Sequence, residues 1–394
     1  MSNRKKQIVF IEPKPTVYNY RIARSLKEEG YPTTLISFSE LNKDFFKEAY
    51  DEIKVLELSH KMRFKDFIDL LKKMLGGRIK TFFEDIKKMK PYLFQITGPD
   101  LFSLMAIHLL RKNYPKIYYS NDIWSTDKRN FFFTKMFWAK GEFQKIFEKI
   151  SFRKVDGILN KKSIGEFELM NYKVRTQKMA LPPACLDAWT FPPKKKKEKE
   201  IHICYAGSPN PVGGEIISFI NIIKIITTQK IHFHTYGPCL NEKDNRVFIQ
   251  EAKRNKFYHK HDKLTPYELN KEMSNYDYGI LPEFIEQKIV ESNPTLTKTQ
   301  LCSRMINYFE AGIPVLVNQQ HEYMARIVKK YGLGFEIIPK DLKELKTILK
   351  QKNYSLFQKN IKKFQGEFKW SRKIVGVEKF YEKIINQNVK DGHR

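Results

Sequence analysis

The first half of the chain alternates short apolar runs with amphipathic stretches. The run QIVFI (7–11), a stretch of helical periodicity over 18–31 and the run TTLISF (33–38) predict a βαβ unit, the beginning of a parallel sheet. Further strands are predicted over residues 52–58, 93–97, 116–120 and 156–160.

The second half repeats this pattern with strands and helices of its own. Helical periodicity covers residues 213–227 and 264–275. Two successive series predict an α/β protein with two Rossmann-like domains, each with helices on both faces of a parallel sheet. The strands of the second series are predicted over residues 201–207, 230–237, 256–261, 277–282 and 313–318.

The segment FPPKKKKEKE (191–200) separates the two series. Its prolines and its run of charges are typical of a linker. We therefore predict a first domain over residues 1–190 and a second over 201–370. Residues 371–394 are helical by periodicity and are expected to cross back to the first domain. Because open α/β sheets bind ligands at the carboxyl ends of their strands, we expect two domains that face each other across a cleft.

The net charge of the chain is +28, from 72 Lys and Arg residues against 44 Asp and Glu residues. A field of that sign attracts phosphate-bearing partners such as nucleotides, nucleic acids or anionic lipids. The excess is mostly lysine in a chain rich in Ile, Asn and Phe, so a compositional bias explains it equally well. The charge by itself therefore selects no partner.

The cysteines and the apolar runs bear on the compartment. Four cysteines are widely spaced, without a Cys-x-x-Cys pair, which favours a reducing cytoplasm over a disulfide-bonded or zinc-binding class. The basic start is followed by too few apolar residues for a signal peptide, and no run approaches the ~18 residues of a membrane-spanning helix. We expect a cytoplasmic protein.

The segment CSRMINYFEAGIPVLVN (302–318) predicts a helix that ends near Gly312 and leads into a buried strand. Arg304, Asn307 and Glu310 stand at steps of three and share one broad stripe of that helix. Such a stripe is often a solvated face. Just before a Gly-Ile-Pro turn at a predicted ligand-binding edge, it is equally a candidate binding wall.

This segment resembles the C-terminal domain of GT-B glycosyltransferases, in particular the mostly retaining glycosyltransferase group 1 superfamily. The passages FRKVDGILNKKSIGEFELMNY, ALPPACLDAWTFPP, LTPYELNKEMSNYDYGILP and FKWSRKIVGVEKFYEKI resemble successive parts of that family in the same order. The resemblance covers roughly the whole chain and implies an enzyme that uses a nucleotide sugar, of UDP or GDP type, and needs no other cofactor.

The resemblance also implies roles for residues of the second domain. Arg304 falls at the family's diphosphate-binding cation, and a guanidinium can donate two parallel bonds to phosphate. Thr299 and Asn307 fall where the family has two glutamates, the second of which binds ribose, and Glu310 completes the wall. Lys298 is a candidate replacement for a cation that the family carries after its first donor-domain strand. Gly213 and Gly214 follow that strand and are candidates to bring backbone amides close to a phosphate.

Candidate residues of the first domain follow two predicted strands. In the family, a polar pair and an aromatic residue end the strand that corresponds to KIYYSNDIW, which makes Asp122 a candidate base or acceptor-orienting group and places Trp124 in the cleft. Asp122 can equally serve as a helix cap. The first loop places Lys14, Tyr18 and Asn19 in the cleft if the strand assignment is right.

A pair of histidines in KFYHKHDK raises the question of a metal. His259 and His261 lie at alternate positions, but no third ligand stands nearby at a recognisable spacing. A contact of His261 and Lys263 with the nucleotide base is one interpretation, and ordinary loop histidines are the other. Since the chain contains no Asp-x-Asp, we predict transfer without a metal, with cations and helix dipoles stabilising the departing diphosphate.

Residues 60–90 and 130–150 mix lysines with large apolar residues at helical spacing. Such stretches can lie on an anionic membrane surface, as a lipid-linked acceptor would require, or can pack against the core with a solvated basic face. The leading hypothesis is a cytoplasmic glycosyltransferase, peripheral at the inner face of a bacterial membrane, that builds a surface polysaccharide or glycolipid. A catalytically silent GT-B protein is the first alternative. A nucleic-acid-binding protein is the second, although no nucleic-acid motif supports it.

Overall fold

A computed structural model gives the architecture of the chain. It describes most of the sequence, including both predicted series of strands. The described residues are 7–37, 41–55, 84–98, 101–110, 114–121, 123–126, 135–170, 172–194, 200–207, 209, 216–239, 242–292 and 294–390.

These residues group into two compact units. Unit 1 contains the described residues from 7 to 126 and from 135 to 182, together with the terminal segment 373–390. Unit 2 contains the described residues from 183 to 372. Each unit is built on one sheet.

The sheet of unit 1 is parallel, with the strand order β3-β2-β1-β4-β5-β6-β7. The strand order reverses between β1 and β4, as in a doubly wound sheet. The strands are β1 Ile8–Glu12, β2 Thr33–Ser37, β3 Glu52–Val55, β4 Leu93–Thr97, β5 Lys116–Ser120, β6 Gly157–Asn160 and β7 Gln177–Ala180. The helices up to β7 are α1 Val17–Glu28, α2 Lys43–Lys47, α3 over 84–88, α4 Leu101–Leu109 and α5 Lys135–Lys154, with 3₁₀ turns at Trp124–Thr126 and Ile164–Leu169.

The sheet of unit 2 is also parallel, with the strand order β10-β9-β8-β11-β12-β13. Its strands are β8 Ile201–Tyr205, β9 Ile231–Tyr236, β10 Tyr258–His261, β11 Tyr278–Leu281, β12 Val315–Asn318 and β13 Gly334–Ile337. Its helices are α6 Phe219–Thr227, α7 Glu242–Arg254, α8 Pro266–Met273, α9 Gln287–Ser292, α10 Thr295–Lys298, α11 Ser303–Glu310, α12 Glu322–Tyr331, α13 Leu345–Gln351 and α14 Tyr354–Glu367, and 3₁₀ turns span Asp187–Trp189 and Pro339–Glu344. The last helix, α15 Trp370–Lys390, begins at the end of unit 2 and runs through the terminal segment of unit 1.

The predicted strands are confirmed, and two strands were missed. β7 and β13 are short edge strands with partly exposed residues, so neither carries a continuous apolar run. The helix predicted over 213–227 is shorter than expected. It begins at Phe219, because Ser218 has an extended backbone conformation and is the N-cap residue of the helix.

The terminal segment packs tightly within unit 1. The backbone of Gly157 on β6 lies so close to Phe380 and Ile384 that an added Cβ atom would approach Ile384 Cδ1 to 3.0 Å. Tyr381 is fully enclosed and its hydroxyl donates to Gln95 on β4. This segment therefore completes the core of unit 1.

A tyrosine on α11 seals the corresponding layer of unit 2. The Tyr308 ring covers Gly279 on β11, where an added Cβ atom would stand 2.3 Å from Tyr308 Cγ. The Tyr308 hydroxyl donates to Ile280 O (3.0 Å) and accepts from Ala206 N (2.9 Å). One side chain thus joins α11 to both β11 and the end of β8.

Among the residues that the structure describes, no helix combines the length and the apolar character needed to cross a membrane. Two segments, 60–90 and 130–150, are predicted to meet a membrane surface. Of these, residues 60–83 and 130–134 lie outside the described part of the chain. Membrane contact stays a prediction.

Replacing Gly279 by Ala is expected to destabilise the protein by about 3 kcal/mol, because the new methyl group overlaps the Tyr308 ring and forces α11 away from the sheet. Equilibrium unfolding in urea measures the loss. Gly366→Ala is the matched control, since a Cβ atom there meets nothing within 4 Å, and it should leave the stability unchanged or slightly raised. Equal effects of the two substitutions would contradict the packing argument.

Glu12 introduces a pH dependence into unit 1. The carboxylate is fully buried at the end of β1 and accepts from Thr16 N (2.9 Å), Thr16 Oγ1 (3.2 Å) and Tyr50 Oη (3.0 Å). Burial is the largest influence and outweighs these bonds, so that the pKa of Glu12 rises from 4.5 to about 7. The folded state therefore binds a proton that the unfolded state releases.

Because this pKa is higher in the folded state, the contribution of Glu12 to stability is full below pH 4.5 and is lost as the pH rises through about 7. The loss amounts to roughly 3 kcal/mol at about 1.4 kcal/mol per pKa unit. Thermal unfolding between pH 4.5 and 8 should show it, and Glu12→Gln should remove this component. The exposed Glu84→Gln should retain it; a Glu12→Gln protein with an unchanged profile would rule out the assignment.

Candidate functional site

The sheet of unit 2 has one topological switch point, between β8 and β11. Connections from the two strands leave in opposite directions there, which opens a crevice at their carboxyl ends. The residues that follow these ends are Ala206 and Gly207 after β8, and Pro282 and Glu283 after β11. Helix α11 begins beside them and brings Arg304 in its first turn.

Arg304, Glu283 and Tyr205 form a charged cluster at this crevice. The Arg304 guanidinium forms an ion pair with Glu283, and its Cζ atom lies 4.5 Å from the centre of the Tyr205 ring. The Tyr205 hydroxyl donates to Glu283 Oε1 (2.8 Å). The Arg304 side chain is 34% exposed and that of Glu283 is 10% exposed. Glu283 and the Tyr205 ring thus orient the Arg304 guanidinium, while part of the Arg304 side chain stays accessible to solvent.

Glu283 is held from several sides. Asn318 Nδ2, at the end of β12, donates to the Glu283 carbonyl (2.6 Å), and His321 Nε2 stands 3.9 Å from Glu283 Oε2. Burial would raise the pKa of the Glu283 carboxyl, but Arg304, His321 and the Tyr205 hydroxyl together hold it below its ordinary value. Glu283 is therefore ionised at neutral pH and fixes the position of the Arg304 fork.

This arrangement suits a phosphate group. A preoriented guanidinium loses little rotamer freedom when it binds an anion. Gly207 leaves the volume beside Arg304 open, because it has no Cβ atom where one would stand 3.9 Å from Arg304 Nε. The crevice thus offers a cation, a nearby backbone without a side chain and a buried carboxylate.

Other residues predicted to bind the donor lie along the same part of the chain. Glu310 is fully buried at the far end of α11, where Oε1 accepts from Leu186 N (2.8 Å) and Oε2 from Asn270 Nδ2 (2.8 Å).

Asn307 is half-buried one turn after Arg304. Thr299 is buried, with its hydroxyl on Thr295 O (3.3 Å), whereas Lys298 is exposed.

Four candidate residues of the first domain, Lys14, Tyr18, Asn19 and Trp124, lie in the part of the chain that the structure describes. Lys14 is exposed, and Tyr18 lies under Lys161, whose Nζ is 4.8 Å from the ring centre. Asn19 is fully buried: Nδ2 donates to Thr97 Oγ1 (2.6 Å) and Oδ1 accepts from Gln95 Nε2 (2.7 Å). Trp124 begins a 3₁₀ turn. Asp122, Gly213 and Gly214 lie outside the described residues.

His261 belongs to a group of imidazoles on β8, β9 and β10. Its Nε2 atom lies 2.9 Å from His234 Nδ1, and its ring stacks on Tyr236. Burial, and then the neighbouring histidines, lower the pKa of His234 to about 2 and that of His259 to about 4. Lys263 is exposed beyond the end of β10.

Sequence reasoning missed Glu283, Tyr205, Asn318 and His321. A signal for two of them was present, since Tyr205 ends β8 and Glu283 stands two residues after β11. Polar groups at the ends of neighbouring buried strands meet at one edge of the sheet. The pairing of Glu283 with Arg304 depends on the switch point, which residue spacing does not reveal.

Comparison with known proteins bears on this geometry. Residues 203–371, the larger part of unit 2, match the family model of the glucosyltransferase 3-like C-terminal domain. Among curated proteins, none matches the chain in sequence.

Solved structures resemble the chain over nearly its whole length. Sucrose-phosphate synthase from Thermosynechococcus elongatus has a TM-score of 0.69 at 13% identity, covering 97% of this chain and 100% of its own. A glycosyltransferase from Rickettsia africae has a TM-score of 0.65 at 13% identity, covering 97% and 99%. A UDP-glucosyltransferase from Polygonum tinctorium has a TM-score of 0.56 at 8% identity, covering 97% and 100%.

The chain has the GT-B fold of these structures, and residues 203–371 match a glucosyltransferase 3-like family model. The expected GT-B fold, with two Rossmann-like units, is confirmed. Membership of the group 1 superfamily within the GT-B glycosyltransferases stays a prediction. The family match covers the crevice of unit 2, including Tyr205, Glu283 and Arg304.

Proposed function

We propose that this GT-B-fold protein is a glycosyltransferase that moves a hexosyl group from a nucleotide sugar to a glycan or lipid-linked acceptor, in the synthesis of a bacterial surface polysaccharide or glycolipid. The observation that carries the donor part is the Arg304–Glu283–Tyr205 cluster at the switch point of unit 2. The donor is of UDP or GDP type. The Polygonum tinctorium relative is named as a UDP-glucosyltransferase, which supports this class.

In the proposed mechanism, Arg304 binds the diphosphate of the donor and stabilises the negative charge that develops as the sugar leaves. Glu283 keeps the guanidinium in place, because its carboxylate accepts from Arg304 and from the Tyr205 hydroxyl. Asn307, half-buried one turn after Arg304, is proposed to complete the donor wall, whereas the predicted wall residue Glu310 is fully buried and anchors the far end of α11 instead. Fixed positive charge would then replace a metal ion at the leaving group.

The acceptor part of the proposal rests on the resemblance and on composition. Asp122 is proposed as the group that accepts the proton of the acceptor hydroxyl or orients that hydroxyl. The net charge of +28 is compatible with an acceptor that carries phosphate groups or lies on an anionic membrane surface. A phosphate-bearing acceptor and an acceptor at an anionic membrane would both place an anion next to the hydroxyl that receives the sugar.

Arg304→Ala is expected to weaken binding of the donor nucleotide about 10- to 100-fold, because a charged hydrogen-bond donor to phosphate is lost. In a thermal-shift screen with UDP and GDP, the matching nucleotide should raise the wild-type melting temperature by about 5 °C at saturation. The ligand-induced shift is compared within each variant, since Arg304→Ala also leaves Glu283 without its ion-pair partner.

Arg304→Lys keeps the charge without the fork and should give an intermediate shift. Arg326→Ala is the matched control, because Arg326 is exposed on α12 of the same unit and should change nothing. A full nucleotide shift in Arg304→Ala would remove Arg304 from the site. A wild-type protein that binds a nucleotide but neither hydrolyses nor transfers its sugar would support the catalytically silent alternative.

Asp122→Asn separates catalysis from helix capping. Asparagine caps a helix about as well as aspartate but is a poor base. If Asp122 takes or orients the acceptor proton, kcat should fall about 10²- to 10⁴-fold, with the melting temperature and the KM of the donor unchanged. An unchanged kcat would assign Asp122 to capping. Asp122→Ala serves as the comparison, because it should reduce stability only if Asp122 caps the helix.

A further inference from the structure

Five histidines line one face of the outer strands of unit 2. They stand at alternate positions of β8, β9 and β10, so that their side chains leave the sheet on the same side. Contacts between ring nitrogens join them into two rows that run from strand to strand. The five residues are His202 on β8, His232 and His234 on β9, and His259 and His261 on β10.

The first row contains three rings and the second contains two. In the first row, His202 Nδ1 lies 3.0 Å from His234 Nε2, and His234 Nδ1 lies 2.9 Å from His261 Nε2. In the second row, His232 Nδ1 lies 2.8 Å from His259 Nε2. At these distances one nitrogen of each pair donates a hydrogen and the other accepts it.

The two rows are also stacked on each other. The centroids of the His202 and His232 rings are 4.5 Å apart, with an interplanar angle of 6°. Those of His234 and His259 are 4.6 Å apart, at 19°. A charge on one ring would therefore stand close to a charge on the ring stacked against it, and like charges at this separation repel.

The hydrogen bonds limit how many of these rings can be charged. A neutral imidazole carries one N–H and a charged imidazole carries two. Each bond of the first row holds one hydrogen, so that even with a hydrogen on both of its end nitrogens the row carries only one more than three neutral rings do. By the same count, the second row carries at most one more than two neutral rings do. At most two of the five histidines can therefore be protonated while both rows are intact.

Carboxylates near the ends of the rows favour charged rings but do not raise this limit. Glu200 Oε2 lies 3.0 Å from His232 Nε2, at one end of the second row. Glu272 and Asp262 favour the charged form of His261, but burial is the largest influence and lowers the pKa of His261. Other titratable groups next to the rows are Asp277, whose carboxylate accepts from His202 N (2.7 Å), and the side chains of Cys204, Tyr236 and Tyr276, whose pKa burial raises.

We propose that the two rows form an acid-sensitive lock on β8, β9 and β10. Near neutral pH all five rings can be uncharged, and both rows stay intact. In the unfolded chain each histidine takes up a proton below about pH 6.5, whereas the folded rows hold two at most. The unfolded state therefore binds at least three more protons at acid pH, and the stability of these strands is lost as the pH falls.

The effect of burial on the rings has the same direction. Burial is the largest influence on His234 and His259, and it lowers the pKa of the first to about 2 and of the second to about 4. A histidine whose pKa is lowered by folding contributes stability above its unfolded value of about 6.5 and loses it progressively below. Glu12 in unit 1 has the opposite sign, because its contribution is lost as the pH rises.

The lock also bears on the charged crevice. β8 carries Tyr205 at its carboxyl end, and the Tyr205 hydroxyl donates to Glu283. Release of β8 from β9 would therefore disassemble the cluster around Arg304. The lock itself belongs to the sheet and does not depend on whether unit 2 binds a nucleotide sugar.

The test measures hydrogen–deuterium exchange of the full chain at pH 7.5 and pH 5.5, with each peptide normalised to the unfolded chain at the same pH. Protection of peptides from β8, β9 and β10 should fall about 100- to 1000-fold between these values, since each of three protons contributes up to about 10-fold. Peptides from β1 and β4 should keep their protection, because Glu12 acts in the opposite direction. Protection of β8, β9 and β10 that is unchanged or higher at pH 5.5 would overturn the proposal.

Ring resonances of carbon-13-labelled histidine give a second readout that needs no variant. At pH 5.5 at least three of the five rings should be neutral in the folded protein, by the count of hydrogens in the rows. Four or five charged rings in a protein that still protects β8, β9 and β10 would contradict the lock.

His259→Gln and His261→Gln each remove one titrating ring, and glutamine can still donate and accept a hydrogen bond. In each variant the fall in protection between pH 7.5 and pH 5.5 should be about 10-fold smaller than in the wild type. His108→Gln is the matched control, because His108 is an exposed histidine of unit 1, and it should behave as the wild type. The full pH dependence in both His259→Gln and His261→Gln, or an equal reduction in His108→Gln, would also overturn the proposal. None of these measurements uses a nucleotide sugar, so their outcome is independent of sugar transfer.

Discussion

The close approach of α11 to the sheet of unit 2 is the constraint on which the candidate donor site depends. It is permitted because Gly279 carries no side chain where the Tyr308 ring lies. Once the ring is seated, its hydroxyl joins Ile280 O and Ala206 N, so the helix is tied to the two strands that flank the switch point. Arg304, one turn earlier, is thereby delivered to the crevice.

Electrostatics then decide what the crevice can bind. Arg304 is one of many cations in a chain of charge +28, but it is distinguished by a nearly buried carboxylate that holds it and by an aromatic ring beneath it. Most surface lysines are mobile and screened by salt. A fixed guanidinium at a sheet edge is preorganised, and that difference separates a site from a general attraction for anions.

The fold could be predicted from the sequence because buried parallel strands leave continuous apolar runs, and because the second series repeats the first. β7 and β13 were missed because their residues are partly exposed, so neither strand carries a continuous apolar run. Arg304 could be proposed from its helix and the Gly312 turn, but its ion-pair partner Glu283 could not, because the two are joined by a tertiary contact across the switch point. The histidines of β8, β9 and β10 show the same limit. The sequence offers His259 and His261 as a pair, while the structure places them beside His232 and His234 of the neighbouring strand.

Helix α11 is secured at both ends, by Glu283 at Arg304 and by Leu186 N and Asn270 at Glu310. A short rod clamped in this way cannot slide or tilt to suit a larger or smaller ligand. Related proteins that bind ligands of different size would therefore be expected to vary the loops around α11 and keep the position of the helix. Leu186 and Asn270 lie far along the chain from the charged crevice. Substitutions at Asn270 or around Leu186 would nevertheless shift α11 and so displace Arg304.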